Sequence, residues 1–110
     1  MHLHRLEDEY TYVLSGRIGA ILGGEEFEAG PGDLIFKPRE QWHTFWNASD
    51  EPASVLEIIS SAGIEALFRE MAALATEADP MALQRMAARY GCDLDFEATF
   101  PVIERHRLHF

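Results

Sequence analysis

Apolar and polar residues alternate along the first sixty positions of the chain, a pattern typical of short β-strands with one buried face. In the most regular stretch, Thr11 and Val13 share one face and Tyr12 lies on the opposite face. The strands predicted in this way span residues 2–4, 10–15, 17–22, 25–29, 34–36, 43–47 and 53–60. The Gly23-Gly24 pair is a strong hairpin signal, so the strands on either side of it are expected to be antiparallel neighbours.

After residue 60 the apolar residues recur every three or four positions, which predicts amphipathic helices. One helix is predicted over residues 64–77. A second is predicted from Pro80, with Asp79 as its N-cap and Gly91 as its C-cap. Residues 101–106 favour one more helical turn. The sequence therefore predicts a strand-rich unit at residues 1–60 and a helical extension at residues 61–110, packed on that unit or on a partner chain.

The charge of the chain argues against two classes of partner. The sequence has 9 Lys and Arg residues against 19 Asp and Glu residues, a formal net charge of -10 at pH 7. Phosphate backbones and anionic membrane surfaces bind basic faces, so neither nucleic acid nor a membrane is an expected partner.

Length and cysteine content point to one intracellular domain. The 110 residues suffice for a single domain with a modest core. The sequence has no apolar run long enough to cross a membrane and no signal-peptide pattern, so a cytoplasmic protein is expected. The single cysteine, Cys92, has no internal disulfide partner, which agrees with a reducing compartment, and it is expected to be a small buried residue instead of a nucleophile.

Four side chains carry the candidate chemistry. His2 and His4 are two positions apart, so on a strand they face the same way, about 7 Å from each other. Glu9 lies an odd number of positions from His4, so a turn or bulge within residues 5–8 has to bring it to the same side. His43 completes the set if its strand packs beside the first. The alternative is that the histidines are ordinary surface residues.

Three imidazoles and one carboxylate form a ligand set of nitrogen and oxygen atoms. This set suits Fe, Mn, Ni, Cu or Zn and gives calcium little reason to bind. The sequence therefore predicts a divalent transition metal as the cofactor and does not choose among these elements.

Two spaced motifs resemble those of the cupin superfamily, in particular its small single-barrel, quercetinase-like members. The matching residues are His2, His4, Glu9 and Gly16 in the first motif and Gly32, Pro38, His43 and Asn47 in the second. The resemblance implies a mainly β fold, a single antiparallel jelly-roll barrel with a C-terminal α-helical extension. It also implies that His2, His4, Glu9 and His43 are metal ligands facing the barrel interior.

The resemblance leaves three functions open, each with a small molecule as the ligand. The first is a metal-dependent dioxygenase acting on a small enol or diol, with Glu9 serving as a catalytic base when it loosens from the metal. The second is a redox-neutral isomerase or lyase that polarises a sugar or a small acid. The third is a module that binds a metal or small ligand without turnover. The fold does not choose among them.

The chain departs from the cupin motifs at two places. Glu40 stands where the second motif normally has Gly, and a positive φ there would cost on the order of 1 kcal/mol. The sequence also begins at Met1, directly before the first ligand, whereas family members usually have upstream strands. A barrel without those strands exposes unpaired backbone edges, so a homodimer or larger assembly is expected.

Overall fold

The computed structural model describes residues 1–74 and 79–109 of the chain. Within these ranges the strands are β1 (His2–His4), β2 (Asp8–Ser15), β3 (Ile18–Leu22), β4 (Glu25–Ala29), β5 (Leu34–Lys37), β6 (His43–Asn47), β7 (Ser54–Ser60) and β8 (Cys92–Leu94). The seven predicted strands are confirmed, with small shifts at their ends. The eighth strand, β8, was not predicted.

The strands form two antiparallel sheets that face each other. One sheet has the order β4-β3-β6-β1-β8 and the other has the order β5-β2-β7. Their inner faces share a core that contains Val13 from one sheet and Ile18 and Ala20 from the other. Thr11 is buried beside Val13, and Tyr12 is exposed, as the alternation predicts. The mainly antiparallel jelly-roll fold with C-terminal helices is thus confirmed.

Residues 5–7 carry the chain from one sheet to the other. β1 belongs to the five-stranded sheet and β2 to the three-stranded sheet. The interruption of the strand predicted within residues 5–8 is confirmed, but it moves the chain to the other sheet instead of shifting Glu9 to the other face of the same strand. Glu9 faces His4 across the interior from a different sheet, so no correction of phase within one strand is needed.

The C-terminal segment contributes three helices besides β8. They are α1 (Glu65–Ala72), preceded by a 3₁₀ turn at Ala62–Ile64, α2 (Pro80–Arg89) and α3 (Phe96–His106). The helix predicted over residues 64–77 thus ends at Ala72, and residues 75–77 of the prediction lie outside the described residues. The cap of α2 is confirmed, since the Asp79 carboxylate accepts a hydrogen bond from the Met81 amide.

The last helix is longer than the single turn predicted at residues 101–106. It begins at Phe96, and the Asp95 side chain caps it by accepting the Ala98 amide at 2.8 Å. Pro101 lies inside this helix, whereas proline favours the first helical position and so suggested a later start.

The helices cover two different parts of the strand-rich unit. Helix α3 packs on the outer face of the five-stranded sheet, where Val102 meets Trp46 and Ile21. Helices α1 and α2 form a second core with β8 through Leu67 and Met86. Among the described residues, no helix is long and apolar enough to cross a membrane.

Strand β8 covers the edge of β1, the first strand of the chain. β1 pairs with β6 on one side and with β8 on the other, so its backbone has no open edge. Self-association stays a prediction. The division of the chain into residues 1–60 and 61–110 also stays a prediction, and β8, from the second segment, pairs with the sheet of the first.

Candidate metal centre

The four predicted ligands converge on one point between the two sheets. His2 and His4 come from β1, His43 lies opposite His2 in the neighbouring β6, and Glu9 comes from β2 in the facing sheet. One donor atom of each residue lies within 4.8 Å of the other three. His4, Glu9 and His43 are buried, and the side chain of His2 is 26% exposed. The interpretation of these histidines as unrelated surface residues is therefore wrong.

The three imidazoles present the same ring atom to the same carboxylate oxygen. The distance from Glu9 Oε2 to Nε2 is 2.9 Å for His43, 3.4 Å for His4 and 3.9 Å for His2. Ligand atoms bound at right angles around a transition metal, with bonds of about 2.1 Å, lie about 3 Å apart. The spacing fits a single ion, and the donor set suits a divalent transition metal.

The surroundings of His43 and His2 suit metal binding. The Nδ1 of His43 lies 3.0 Å from the carbonyl oxygen of Gln41, an acceptor for Nδ1–H that would leave Nε2, 2.9 Å from Glu9 Oε2, available to a metal. Burial lowers the pKa of His2 to about 4, although the hydrogen bond that His2 donates to Glu9 opposes this shift. His2 is thus neutral at pH 7, and neutral imidazole is the form that binds a metal.

The Glu9 carboxylate is held in its charged form. Burial by itself raises the pKa of Glu9, but hydrogen bonds with His2, His4 and His43 and the charge of Lys37 outweigh burial and hold the pKa well below its ordinary value. Glu9 is therefore an anion at pH 7 and a weak proton acceptor.

A buried lysine and a second glutamate extend the site, and the sequence analysis missed both. Lys37 is 2% exposed, and its Nζ lies 3.2 Å from Glu9 Oε1 and 3.0 Å from Glu57 Oε2. Thr11 donates its hydroxyl hydrogen to the other oxygen of Glu57. Burial raises the pKa of Glu57, although Thr11 and Lys37 oppose this shift. The alternation of β5 could have placed Lys37 beside Ile35 on the inner face, but lysine is rarely buried.

A cavity of about 710 Å³ opens beside the four ligands. His2, His4, Glu9 and Glu57 are among its polar lining residues, with Thr44 and Thr99. The rest of the wall is largely apolar and includes side chains of the C-terminal helices, among them Leu67, Phe68, Met71 and Leu83. The helical extension therefore encloses the space into which a metal-bound molecule would extend.

The turn before His43 keeps the backbone shape of a glycine. Glu40 has φ of 63°, and its amide donates a hydrogen bond of 2.6 Å to the carbonyl of His4. A left-handed conformation costs a residue with a side chain about 1–2 kcal/mol. The expected strain at Glu40 is confirmed, and the hydrogen bond joins the turn before His43 to the strand that carries His4.

The family model of the Cupin domain matches residues 1–59, more than half of the chain and the part that holds all four predicted ligands. The chain belongs to the cupin family. This cupin is 34% identical over 56 residues to the uncharacterized protein MJ1618 of Methanocaldococcus jannaschii, a match that covers 51% of this chain and 45% of that protein.

Solved structures resemble this cupin as well. A protein of Acidithiobacillus ferrooxidans that is provisionally named a sugar phosphate isomerase matches with a TM-score of 0.50 and 32% identity, over 53% of this chain and 38% of that protein. The Cnp3 cupin domain of Schizosaccharomyces pombe has a TM-score of 0.52 at 14% identity, over 64% of this chain and 52% of that one, which is a likeness of fold. This cupin spans less than half the length of the two relatives from M. jannaschii and A. ferrooxidans.

Proposed function

We propose that this cupin binds a divalent transition metal through His2, His4, Glu9 and His43 and acts as a dioxygenase on a small enol or aromatic diol. The observation that carries the proposal is the convergence of three Nε2 atoms and one carboxylate oxygen beside a largely apolar cavity. Four protein ligands leave about two positions of an octahedral ion open, which is the arrangement of a catalytic site and not of a structural one.

The bound metal would supply Lewis acidity and, for a redox-active ion, a place where O₂ and the substrate oxygen meet. Dioxygenation adds both atoms of O₂ to the substrate and breaks one carbon–carbon bond, so O₂ is the oxidant and no separate reductant is consumed. The apolar side chains of Phe68 and Met71 would bind the substrate ring and exclude water from it.

Glu57 is better placed than Glu9 to accept a proton from the substrate. Glu9 is surrounded by three imidazoles and Lys37, which makes it a weak base. Glu57 lines the cavity with a side chain that is 25% exposed, and Lys37 and Thr11 fix its orientation. A substrate hydroxyl in the cavity can donate to the Glu57 carboxylate, as general base catalysis requires. The earlier assignment of Glu9 as a catalytic base stays a prediction, and Glu57 is the alternative to test beside it.

The relative from A. ferrooxidans favours a second candidate, a redox-neutral isomerase acting on a sugar phosphate. The composition of the cavity argues against it. No Arg or Lys is among the described residues that line the cavity, so apart from the metal itself no cation would compensate a phosphate group beside Glu57.

Metal analysis and turnover assays test both candidates. Protein purified without chelator or added metal should carry close to one transition metal ion, and His43→Ala should weaken metal binding by at least about tenfold, since a direct ligand matters at least as much as the groups behind it. His109→Ala, an exposed histidine, is the matched control and should bind normally. A wild-type protein that binds no transition metal would refute the proposal.

The reaction is then identified from what the loaded protein consumes. Uptake of one O₂ per molecule of a catechol-type diol, with iron and not with zinc, supports the dioxygenase. Conversion of a sugar phosphate by the zinc form without O₂ would replace it with the isomerase. Tight binding of either compound without product would leave a binding module.

A further inference from the structure

The cavity beside the candidate metal centre has an apolar part that the C-terminal helices form. Five side chains line it: Leu67, Phe68 and Met71 from α1, and Leu83 and Ala87 from α2. We call this part of the cavity the helical subsite. The carboxylates that line the cavity, those of Glu9 and Glu57, come from the strands, so the helical subsite is uncharged and apolar.

The cavity is larger than the ring of a simple diol requires. Its volume of about 710 Å³ is within the range of pockets that enclose a drug-sized molecule, so a catechol bound to the metal would leave much of it unfilled. Water held against an apolar wall has few hydrogen-bond partners and is favourably displaced by an apolar group. The remaining space therefore favours a substrate that carries an apolar substituent.

Two side chains of the helical subsite still have apolar surface that a ligand can bury. Leu67 is buried and belongs, with Met86 of α2, to the core between the helices and β8. Phe68 and Met71 line the cavity as well, but they are 51% and 42% exposed. Apolar surface exposed in a concave wall is typical of a ligand-binding groove, because a bound molecule removes that surface from water.

Contacts between the two helices hold the helical subsite in place before a ligand arrives. The hydroxyl of Tyr90 donates a hydrogen bond of 2.7 Å to Glu70 Oε2, and Arg89 donates one to Glu70 Oε1. Glu70 directly precedes Met71 in α1, and these bonds engage its carboxylate at the end of α2. A wall that is already formed need not be ordered on binding, which favours affinity.

The helices lie outside residues 1–59, so membership of the cupin family does not by itself imply the helical subsite. We propose that the helical subsite binds an uncharged apolar substituent of the substrate, such as an alkyl chain, while the enol or diol oxygens bind the metal. A charged substituent would lose its hydration against the five apolar side chains without gaining a partner. The role toward the substrate rests on the proposed function, whereas the affinity of the helical subsite for an apolar chain does not.

A series of straight-chain alcohols tests the helical subsite in the metal-free protein. From butanol to octanol, the affinity should rise about threefold to fourfold for each added CH₂ group, and on the order of 100-fold in all. Carbon-13 NMR of the methionine methyl groups measures the binding and locates it. The signal of Met71 should shift on titration, and the signal of Met81, which is not among the described residues that line the cavity, should not.

Two matched methionine variants separate the helical subsite from unspecific binding. Met71→Glu places a charge in the helical subsite at a half-exposed side chain, so the fold should survive and the affinity for octanol should fall by at least about tenfold. Met81→Glu, on α2 and 57% exposed, is the control and should bind octanol as the wild-type protein does. If Met71→Glu does not fold, Phe68→Gln takes its place, since Phe68 is also half exposed.

The zinc-loaded protein tests the role toward the substrate, since zinc is redox-inactive and a catechol can bind to it without being oxidised. Titration calorimetry with catechol, 4-butylcatechol and 4-octylcatechol should show an affinity that rises with chain length. Met71→Glu should remove most of the advantage of the octyl chain over unsubstituted catechol, and Met81→Glu should keep it.

The two titrations distinguish this proposal from the proposed function. Octanol that binds no more tightly than butanol, or a Met81→Glu variant that loses as much affinity as Met71→Glu, would overturn the helical subsite. Catechols whose affinity does not depend on chain length would overturn its role toward the substrate and leave the proposed function in place. A protein that binds no zinc or other transition metal would refute the proposed function, and the alcohol series would still decide whether the helical subsite exists.

Discussion

Replacing Lys37 with Met tests whether the buried charges around Glu9 hold the fold together. The substitution keeps much of the side-chain volume and removes the cation that contacts both Glu9 Oε1 and Glu57 Oε2. Removal of one partner from a buried charge network costs about 3–5 kcal/mol, because the remaining charge is left uncompensated. A domain of this size has about 5–15 kcal/mol of stability in total, so much of it would be lost.

The structure narrows the expected loss to the lower part of this range. The side chain of Glu57 is 25% exposed and its pKa is raised, so Glu57 takes up a proton readily once Lys37 is absent. Glu9 is more deeply buried and stays charged. We therefore expect Lys37→Met to lower the free energy of unfolding of the metal-free protein by about 3 kcal/mol.

Urea unfolding followed by tryptophan fluorescence measures this loss. Arg17→Met is the matched control, because its ion pair with Glu28 is more than half exposed on both sides and such pairs contribute little. Glu57→Gln added to Lys37→Met should recover part of the loss, since it removes one of the two stranded carboxylates. A Lys37→Met variant as stable as Arg17→Met would refute the electrostatic account of this site.

Three further predictions concern other parts of the chain. The pKa of His2 is about 4 in the folded protein and about 6.5 in the unfolded protein, so between these values only the unfolded protein binds a proton at His2. The free energy of unfolding of the metal-free protein should therefore fall by about 2 kcal/mol from pH 7 to pH 5, measured by urea titration. A flat pH profile, or an equal slope in His2→Gln, would contradict this. Burial raises the pKa of Cys92 to about 11, so a disulfide reagent at pH 8 should label it only as the protein opens, and a rapid first phase would show otherwise. Asp95→Ala should lower stability by about 1 kcal/mol through loss of the α3 cap, measured as a shifted urea midpoint. An unmoved midpoint would mean that the cap contributes nothing.

Local patterns predicted most of the strands and the residues that converge at the metal centre. The two-residue alternation marks which side chains face inward, and the Gly23-Gly24 pair forms the β3–β4 hairpin as expected. The spacing of His2, His4 and His43 indicated a shared site because neighbouring strands bring such residues together.

The parts that the sequence did not predict depend on contacts between distant residues. Strand β8 is only three residues long, too short for alternation to be visible, and it exists because β1 pairs with it from the other end of the chain. Glu9 reaches the histidines from the opposite sheet, which no strand periodicity reveals. Lys37 contradicts the usual exposure of lysine because two carboxylates compensate it in the interior.

The pairing of β1 with β8 ties the residence time of a bound ion to the opening of the C-terminal segment. Two predicted ligands, His2 and His4, lie on a three-residue strand between β6 and β8. The Asp95 N–H donates a hydrogen bond to the Met1 carbonyl, and the Arg5 N–H donates one to the Gly91 carbonyl. If the ion is released when β1 separates from its neighbours, these same hydrogen bonds must break first. Amide hydrogen exchange at Arg5 and Asp95 should therefore slow when a metal is added. Conditions that detach β8 and helix α3 from the sheet should also release the metal.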